Sequence, residues 1–267
     1  MDWRHEVSVD WLKARRDVIT ATELVGLMSG FTKLTKAQKA GTQVAPAFAA
    51  LWGQKHSVMD PDPVSYGAAA RGHFMEPYAV EDYVLLSGEE YYHWDDCIIC
   101  NNGLGFSPDA MDISMKHNPT HEVRMDISKG KLTSRHGGKT YIAESMPKKI
   151  LEIKSYGIDN HMKNMVMDKM QLKERYQIAV AMMVIPTLEE GTLVQYCPQL
   201  ESFSMFCRKY TRTDLEDDIA KLSEILDVWQ KTCRWFDSNE SEMESTYSEK
   251  EIKADYDEQN QEPIFKL

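Results

Sequence analysis

Leu151-Glu152-Ile153-Lys154, read together with Phe106-Ser107-Pro108-Asp109-Ala110-Met111 upstream, decides how this chain folds. The first stretch alternates apolar and charged residues. On a β-strand the side-chain period is two, so Glu152 and Lys154 share one face. Leu151 and Ile153 then turn to the opposite face, toward a core. A carboxylate beside an ammonium at a strand end can hold a divalent cation and offset the charge that develops on a phosphate. The triplet recurs as Glu251-Ile252-Lys253, without apolar flanks that could build a strand. Its first copy gains weight from the Pro-Asp upstream.

Asp109 can come from one strand and Glu152 from its neighbour, so two hard oxygen ligands converge although they are distant in sequence. Magnesium keeps several waters, and one held beside Lys154 would be the nucleophile for in-line attack on phosphorus. Metal and ammonium together would offset the added negative charge of the transition state. The bland alternative is a turn at Pro-Asp and a surface Glu–Lys pair on a strand.

The 267 residues suit one large α/β domain or two small ones. No apolar run reaches a transmembrane length, and the N-terminal residues lack the apolar core of a signal peptide, so a cytoplasmic protein with no membrane contact is expected. Five cysteines, with Cys97-x-x-Cys100 as their one close pair, read as buried free thiols rather than a disulfide framework or a metal cluster. The net charge of −11 is uneven. Residues 237–267 hold ten acids and three lysines, and read as an acidic, disordered tail. From Leu24 to Met59 there is no acid, with Lys33, Lys36, Lys39 and Lys55. Local basic surfaces set phosphate affinity, so the total charge does not exclude DNA.

A short helix is expected from Ser8 to Arg16. Thr20 and Glu23 have capping-box spacing and open a second helix running to about Ser29. A helix N-terminus binds anions, and Arg15 could reach the same anion as that at Thr20 and Thr22; the alternative is a plain cap with a surface arginine. Glu76, inside the packed segment Gly67–Leu86, is a candidate third metal ligand, or else a first-turn acid of a helix starting at Pro77. Short strands are expected near Tyr91–Trp94 and Gly105–Ser107. The basic excursion of about 112–150, turning at Gly137-Gly138 before a strand Lys139–Ala143, reads as a surface hairpin or flap. A helix Lys173–Ile185 carries Gln177, and Leu193–Tyr196 and Phe203–Arg208 read as an antiparallel pair. Met162, Met165, Met167 and Met170 read as soft packing. The last helix starts at Thr213 with Glu216 as its box partner, and its stripe from Leu215 to Phe236 reads as packing on the parent domain.

Taken in order, Arg15-Arg16-Asp17-Val18-Ile19-Thr20-Ala21-Thr22-Glu23, Gly72…Glu76, Ser107-Pro108-Asp109, Leu151-Glu152-Ile153-Lys154 and Tyr176-Gln177 followed by Met182-Met183-Val184 resemble the lambda-type phage alkaline exonucleases, also called YqaJ-type viral recombinases. The resemblance runs from about Trp11 to Phe236. It implies an α/β fold with a central mixed β-sheet flanked by helices, the PD-(D/E)xK restriction-endonuclease-like nuclease core, as one exonuclease domain over 1–236. It implies Mg²⁺, with Mn²⁺ as a substitute, held by Glu76, Asp109, Glu152 and the carbonyl of Ile153. Asp109, Glu152, Lys154 and Gln177 would be catalytic, and Arg15, Thr20 and Thr22 would take a 5′-phosphate. The implied activity is 5′-to-3′ digestion of one strand from linear double-stranded DNA ends, leaving 3′ overhangs for a single-strand annealing partner in recombination. Ring-shaped homotrimers belong to the same resemblance. The family's further arginine after the Glu-x-Lys strand has no counterpart; Asn160, His161 and Lys163 stand there. A structure-specific or repair endonuclease on the same fold is the competing enzyme reading, and a non-catalytic DNA-end-binding module is the competing class.

Overall fold

The structure is a computed structural model that describes residues 4–57, 63–94, 96–114, 122–136, 138–168 and 172–246. The chain opens with β1 (Arg4–Glu6), α1 (Val9–Arg16), β2 (Ile19–Thr20), α2 (Ala21–Phe31), α3 (Lys36–Ala40) and α4 (Pro46–Lys55). It continues through β3 (Val64–Tyr66), α5 (Gly67–Ser87), β4 (Tyr92–His93), β5 (Ile98–Asn101), β6 (Leu104–Phe106) and β7 (Ala110–Met111). Then come β8 (Arg124–Ser128), β9 (Lys131–His136), β10 (Lys139–Ile142) and β11 (Lys149–Ser155). The last elements are α6 (Ile158–Val166), α7 (Leu172–Val184), β12 (Glu190–Tyr196), β13 (Met205–Thr211) and α8 (Glu216–Thr246).

Among the described residues, five strands form a mixed sheet in the order β13-β12-β11-β7-β4, so β11 with its Glu-x-Lys is the central strand. β11 runs parallel to β12 and antiparallel to β7. Period-two alternation then sorts the side chains as the sequence predicts. Leu151 and Ile153 pack with Ala79, Val80 and Tyr83 of α5 on one side. Ile150 joins the larger core with Ile178 of α7 on the other. Helix α7 lies close on β12 because position 191 is glycine: a Cβ there would overlap the Ile178 side chain.

A second sheet has the order β10-β9-β8-β5-β6-β2, and α7 packs between the two sheets against α2 and α8. The described part of the 112–150 excursion is not a free flap. β8 pairs in parallel with β5, and Met125 and Leu132 are buried, so apolar alternation inside the basic stretch ties this hairpin into the sheet. The expected strand Lys139–Ala143 forms as β10, whereas Gly137 of the turn before it and Met170 lie outside the described residues. Met167 is exposed rather than packed.

Helix α5 begins at Gly67 and carries Pro77 in its interior, so the alternative of a helix starting at Pro77 is overturned. The start of α8 also differs from expectation. Thr211 and Asp214, not Thr213 and Glu216, make the reciprocal pair: Asp214 Oδ2 accepts from the Thr211 amide at 2.8 Å and hydroxyl at 2.7 Å. A 3-10 turn, Thr213–Leu215, precedes the helix. The Leu215–Phe236 stripe does pack on the domain, with Leu215, Leu222 and Trp229 buried. α8 runs on to Thr246, so Phe236 is no structural boundary; residues 247–267, including Glu251-Ile252-Lys253, lie outside the described residues. No described helix is long and apolar enough to cross a membrane.

Candidate active site

A cleft of about 400 Å³ opens at the end of β11 and receives Trp11, Arg15, Thr20, Thr22, Glu76, Asp109, Glu152, Lys154 and Gln177. Every sequence-predicted site residue lines it, Ile153 included. Antiparallel pairing of Ala110 with Leu151 sets the approach of β7 to β11, and Asp109, one step beyond, accepts the Ile153 amide at 2.6 Å. Glu152 is almost fully buried, and Lys154 Nζ makes a close ion pair with its Oε1. The same ammonium lies 3.2 Å from the Ile153 carbonyl.

The electrostatics follow from crowding. Burial raises the Asp109 carboxyl well above the usual range, and the charges of Glu152 and Glu76 push it further. Burial alone would lower Lys154, but Glu152 and Asp109 outweigh it and hold the ammonium charged. Burial would raise Glu76, yet the imidazoles of His73 and His93, at 3.6 and 4.0 Å, hold it down to about 2. Three carboxylates that feel one another are a hard-oxygen donor set suited to Mg²⁺ or Mn²⁺. The Lys154 ammonium already stands as a cation on two of the expected ligands, Glu152 and the Ile153 carbonyl. Among the described residues no three acidic, histidine or cysteine side chains are grouped so that they could hold a metal ion as they stand. We read the donor chemistry as fitting a divalent ion, with Lys154 having to yield its hold on Glu152 Oε1.

The other wall is built by α1, β2 and α2. The capping box forms as read, with Thr20 donating from both its amide (2.8 Å) and its hydroxyl (2.9 Å) to Glu23 Oε2. The Thr20 hydroxyl proton is therefore committed to Glu23. Lys55 comes in from α4 to the same carboxylate at 2.7 Å and to the Arg15 carbonyl at 2.7 Å. This lysine of the acid-free stretch is buried structure, not basic surface; burial lowers its pKa against the pull of Glu23. Arg15 is stacked over the Trp11 ring at 4.4 Å, and Trp11 Nε1 donates to Ser107 at 3.2 Å. Burial lowers the Arg15 pKa, with Glu23 partly opposing. Among the described residues no carboxylate pairs directly with its guanidinium, which is half-buried and leaves its fork open to an anion in the cleft.

Gln177 donates to Thr22 at 3.3 Å, which links α7 to the start of α2. The α7 charge felt by Lys154 is instead that of Glu174, one turn earlier and buried. His73 and His93 are site residues that the sequence pattern does not single out, and Ser107 stands in the Ser-Pro-Asp motif without an expected role of its own. His73 was within reach, three residues before Glu76 on one helix face, whereas His93 arrives through the pairing of β4 with β7. Arg71 of α5 occupies the region after the Glu-x-Lys strand, donating to Ser155 at 3.3 Å and to the Tyr156 carbonyl. All five cysteines are free; Cys97, Cys100 and Cys197 are buried, with Cys97 and Cys100 each pushed up to about 12, first of all by burial, whereas Cys207 is exposed and Cys233 half-buried, against the expectation.

No protein-family model matches this chain, and no curated protein does. Solved structures do. Two crystal structures of an alkaline exonuclease, LHK-Exo from Laribacter hongkongensis, one in complex with dAMP, superpose with a TM-score of 0.56 at 16% identity, over 88% of this chain and 100% of theirs. The chain has the fold of an alkaline exonuclease. At that identity the likeness fixes the mixed α/β architecture, with helices flanking the sheets, and leaves the chemistry to the cleft.

Proposed function

We propose that the chain is a metal-dependent deoxyribonuclease that digests one strand of linear double-stranded DNA from its 5′ end. The observation that carries this reading is the pairing, in one cleft, of a buried carboxylate–lysine cluster with a half-buried arginine that no carboxylate among the described residues pairs directly. The first can hydrolyse a phosphodiester; the second marks where a terminal phosphate would sit. LHK-Exo, crystallised with dAMP, is a nuclease of the same fold and supports the assignment.

Glu76, Asp109, Glu152 and the Ile153 carbonyl would hold Mg²⁺ or Mn²⁺, which when bound polarises the phosphate and lowers the pKa of a coordinated water. Lys154, kept charged by Glu152 and Asp109, orients that water and stabilises charge at phosphorus. Arg15, braced on Trp11, grips the terminal phosphate by a charge-assisted fork, helped by backbone N–H groups at the start of α2. Thr22 lies beside them, positioned by Gln177. Repeated cuts at a gripped 5′ end leave a 3′ overhang, the substrate of a single-strand annealing protein.

The test compares linear duplexes bearing a 5′-phosphate or a 5′-hydroxyl at one fixed salt concentration, since phosphate contacts weaken with ionic strength. The phosphorylated duplex should be digested faster. Arg15→Ala should erase most of that difference while sparing residual cutting, and Arg15→Lys should restore it only in part because lysine lacks the planar fork. An unchanged phosphate preference in Arg15→Ala would remove Arg15 from the end-binding role.

A further inference from the structure

Behind the wall that carries Arg15 lies a second hollow of about 470 Å³, lined among others by Arg16, Trp52, Lys55, His56 and Arg234. Neighbouring residues divide between the two cavities: Arg15 and Thr20 face the cleft, Arg16 and Ile19 the second hollow. The short segment joining α1 to α2 is thus a partition. On its far side α4 and α8 hold a column of rings. His56 stacks on Trp52 at 4.0 Å with planes 20° apart, and Trp52 on Phe236 at 4.1 Å and 13°. Trp235 meets Phe236 edge-on at 5.2 Å. The outermost ring, His56, is exposed, and its Nδ1 lies 2.8 Å from the Trp52 carbonyl, which fixes its plane. Trp52 Nε1 is buried and has no hydrogen-bond partner among the described residues.

Cations follow the rings. Arg234 is exposed and lines both this hollow and an adjoining one of about 400 Å³ that also holds Lys231 and Trp235. Two acids, Asp17 and Asp237, line the second hollow itself, and Asp17 is paired with Arg124 at 3.0 Å. Lys231 is paired with Asp227 at 2.6 Å. A column with an exposed end ring, flanked by arginines, is the arrangement that holds single strands without regard to sequence: each base finds a π-face and the backbone finds positive charge. Packing of α8 on α4 alone requires neither the exposed ring nor the arginines.

We propose that this groove binds single-stranded DNA and, resting on the nuclease reading above, takes the strand that is not cut once the partition has separated it from the strand in the cleft. The test is binding of a short fluorescent oligothymidylate to the whole protein in EDTA, where no cutting occurs, followed by anisotropy and by tryptophan quenching. The wild type should bind and lose tryptophan fluorescence. His56→Ala should weaken binding about 5- to 150-fold, the equivalent of one lost base stack. His56→Phe, which keeps a stacking face, should retain it; Arg234→Ala should weaken it with a shallower salt dependence. Thermal melts of each variant separate lost binding from lost folding. A wild type that does not bind, or His56→Ala and Arg234→Ala that both bind like wild type, would reduce the column to a packing seam. Absence of nuclease activity alongside His56-dependent binding would sink the nuclease reading and leave the groove standing.

Discussion

The Lys154 ammonium touches Glu152 and lies 3.2 Å from the Ile153 carbonyl, while Asp109 is buried against both Glu152 and Glu76. The Lys154 charge, with the imidazoles of His73 and His93 on Glu76, offsets the mutual repulsion of these carboxyls. Lys154→Ala should lower the rate of strand digestion by on the order of 10²–10³ or more, the usual cost of losing transition-state electrostatics. Its far-ultraviolet circular dichroism should match the wild type, and wild-type rates would remove Lys154 from the chemistry. Glu152, Lys154 and Asp109 were legible in the sequence because strand periodicity alone puts the first two on one face, and Pro-Asp marks where the third turns in. Glu76 stood out as an acid inside an apolar helix. Lys55 did not, since its partners Glu23 and Arg15 are some thirty to forty residues away and only the tertiary fold joins them.

Strands and helices were read well where their pattern was local. α1, α2, α7 and the β12–β13 pair formed close to expectation. The integration of the β8–β9 hairpin into the sheet is hidden in the sequence because basic residues surround Met125 and Leu132, and its partner β5 lies upstream. The seat of α7 on β12 depends on Gly191. Gly191→Ala should cost about 1–3 kcal/mol by overpacking against Ile178. In Gly191→Ala/Ile178→Ala the two losses should fall short of their sum, which denaturant unfolding measures; strict additivity would mean the two side chains do not compete. A second element-scale expectation concerns Glu89, which follows α5 and ties it to β11 through Lys149 (3.2 Å) and to β13 through Lys209 (2.5 Å). The Lys209 hydrogen bond leads in holding the Glu89 carboxyl below its usual value. A carboxyl depressed in the folded state stabilises above its unfolded pKa, and that contribution is lost as pH falls through the folded value. Glu89→Gln should therefore lower the melting temperature at neutral pH, by the equivalent of about 1 kcal/mol or less, and leave it unchanged in strong acid. An equal shift at both pH values would assign the effect to packing.

Across the whole molecule, the formal charge of −11 is compatible with a DNA-processing enzyme because ten of the acids lie in residues 237–267. The folded body gathers Glu76, Asp109, Glu152, Lys154 and Arg15 in one cleft, on a fold shared with LHK-Exo. Its architecture was legible because the Glu-x-Lys strand is the centre of the sheet, so that one pattern fixes both core and site. The partition between cleft and ring column was not, since residues 16–19 and 52–56 meet α8 only after folding. The most direct measurement is incubation of linear duplex DNA, 5′-phosphorylated and labelled on one strand at a time, with Mg²⁺, beside covalently closed circular DNA and an EDTA control. The account predicts mononucleotides released from 5′ ends of the linear duplex, intact circles, and no reaction in EDTA. Nicked or linearised circles, loss from 3′ ends, or digestion in EDTA would contradict it.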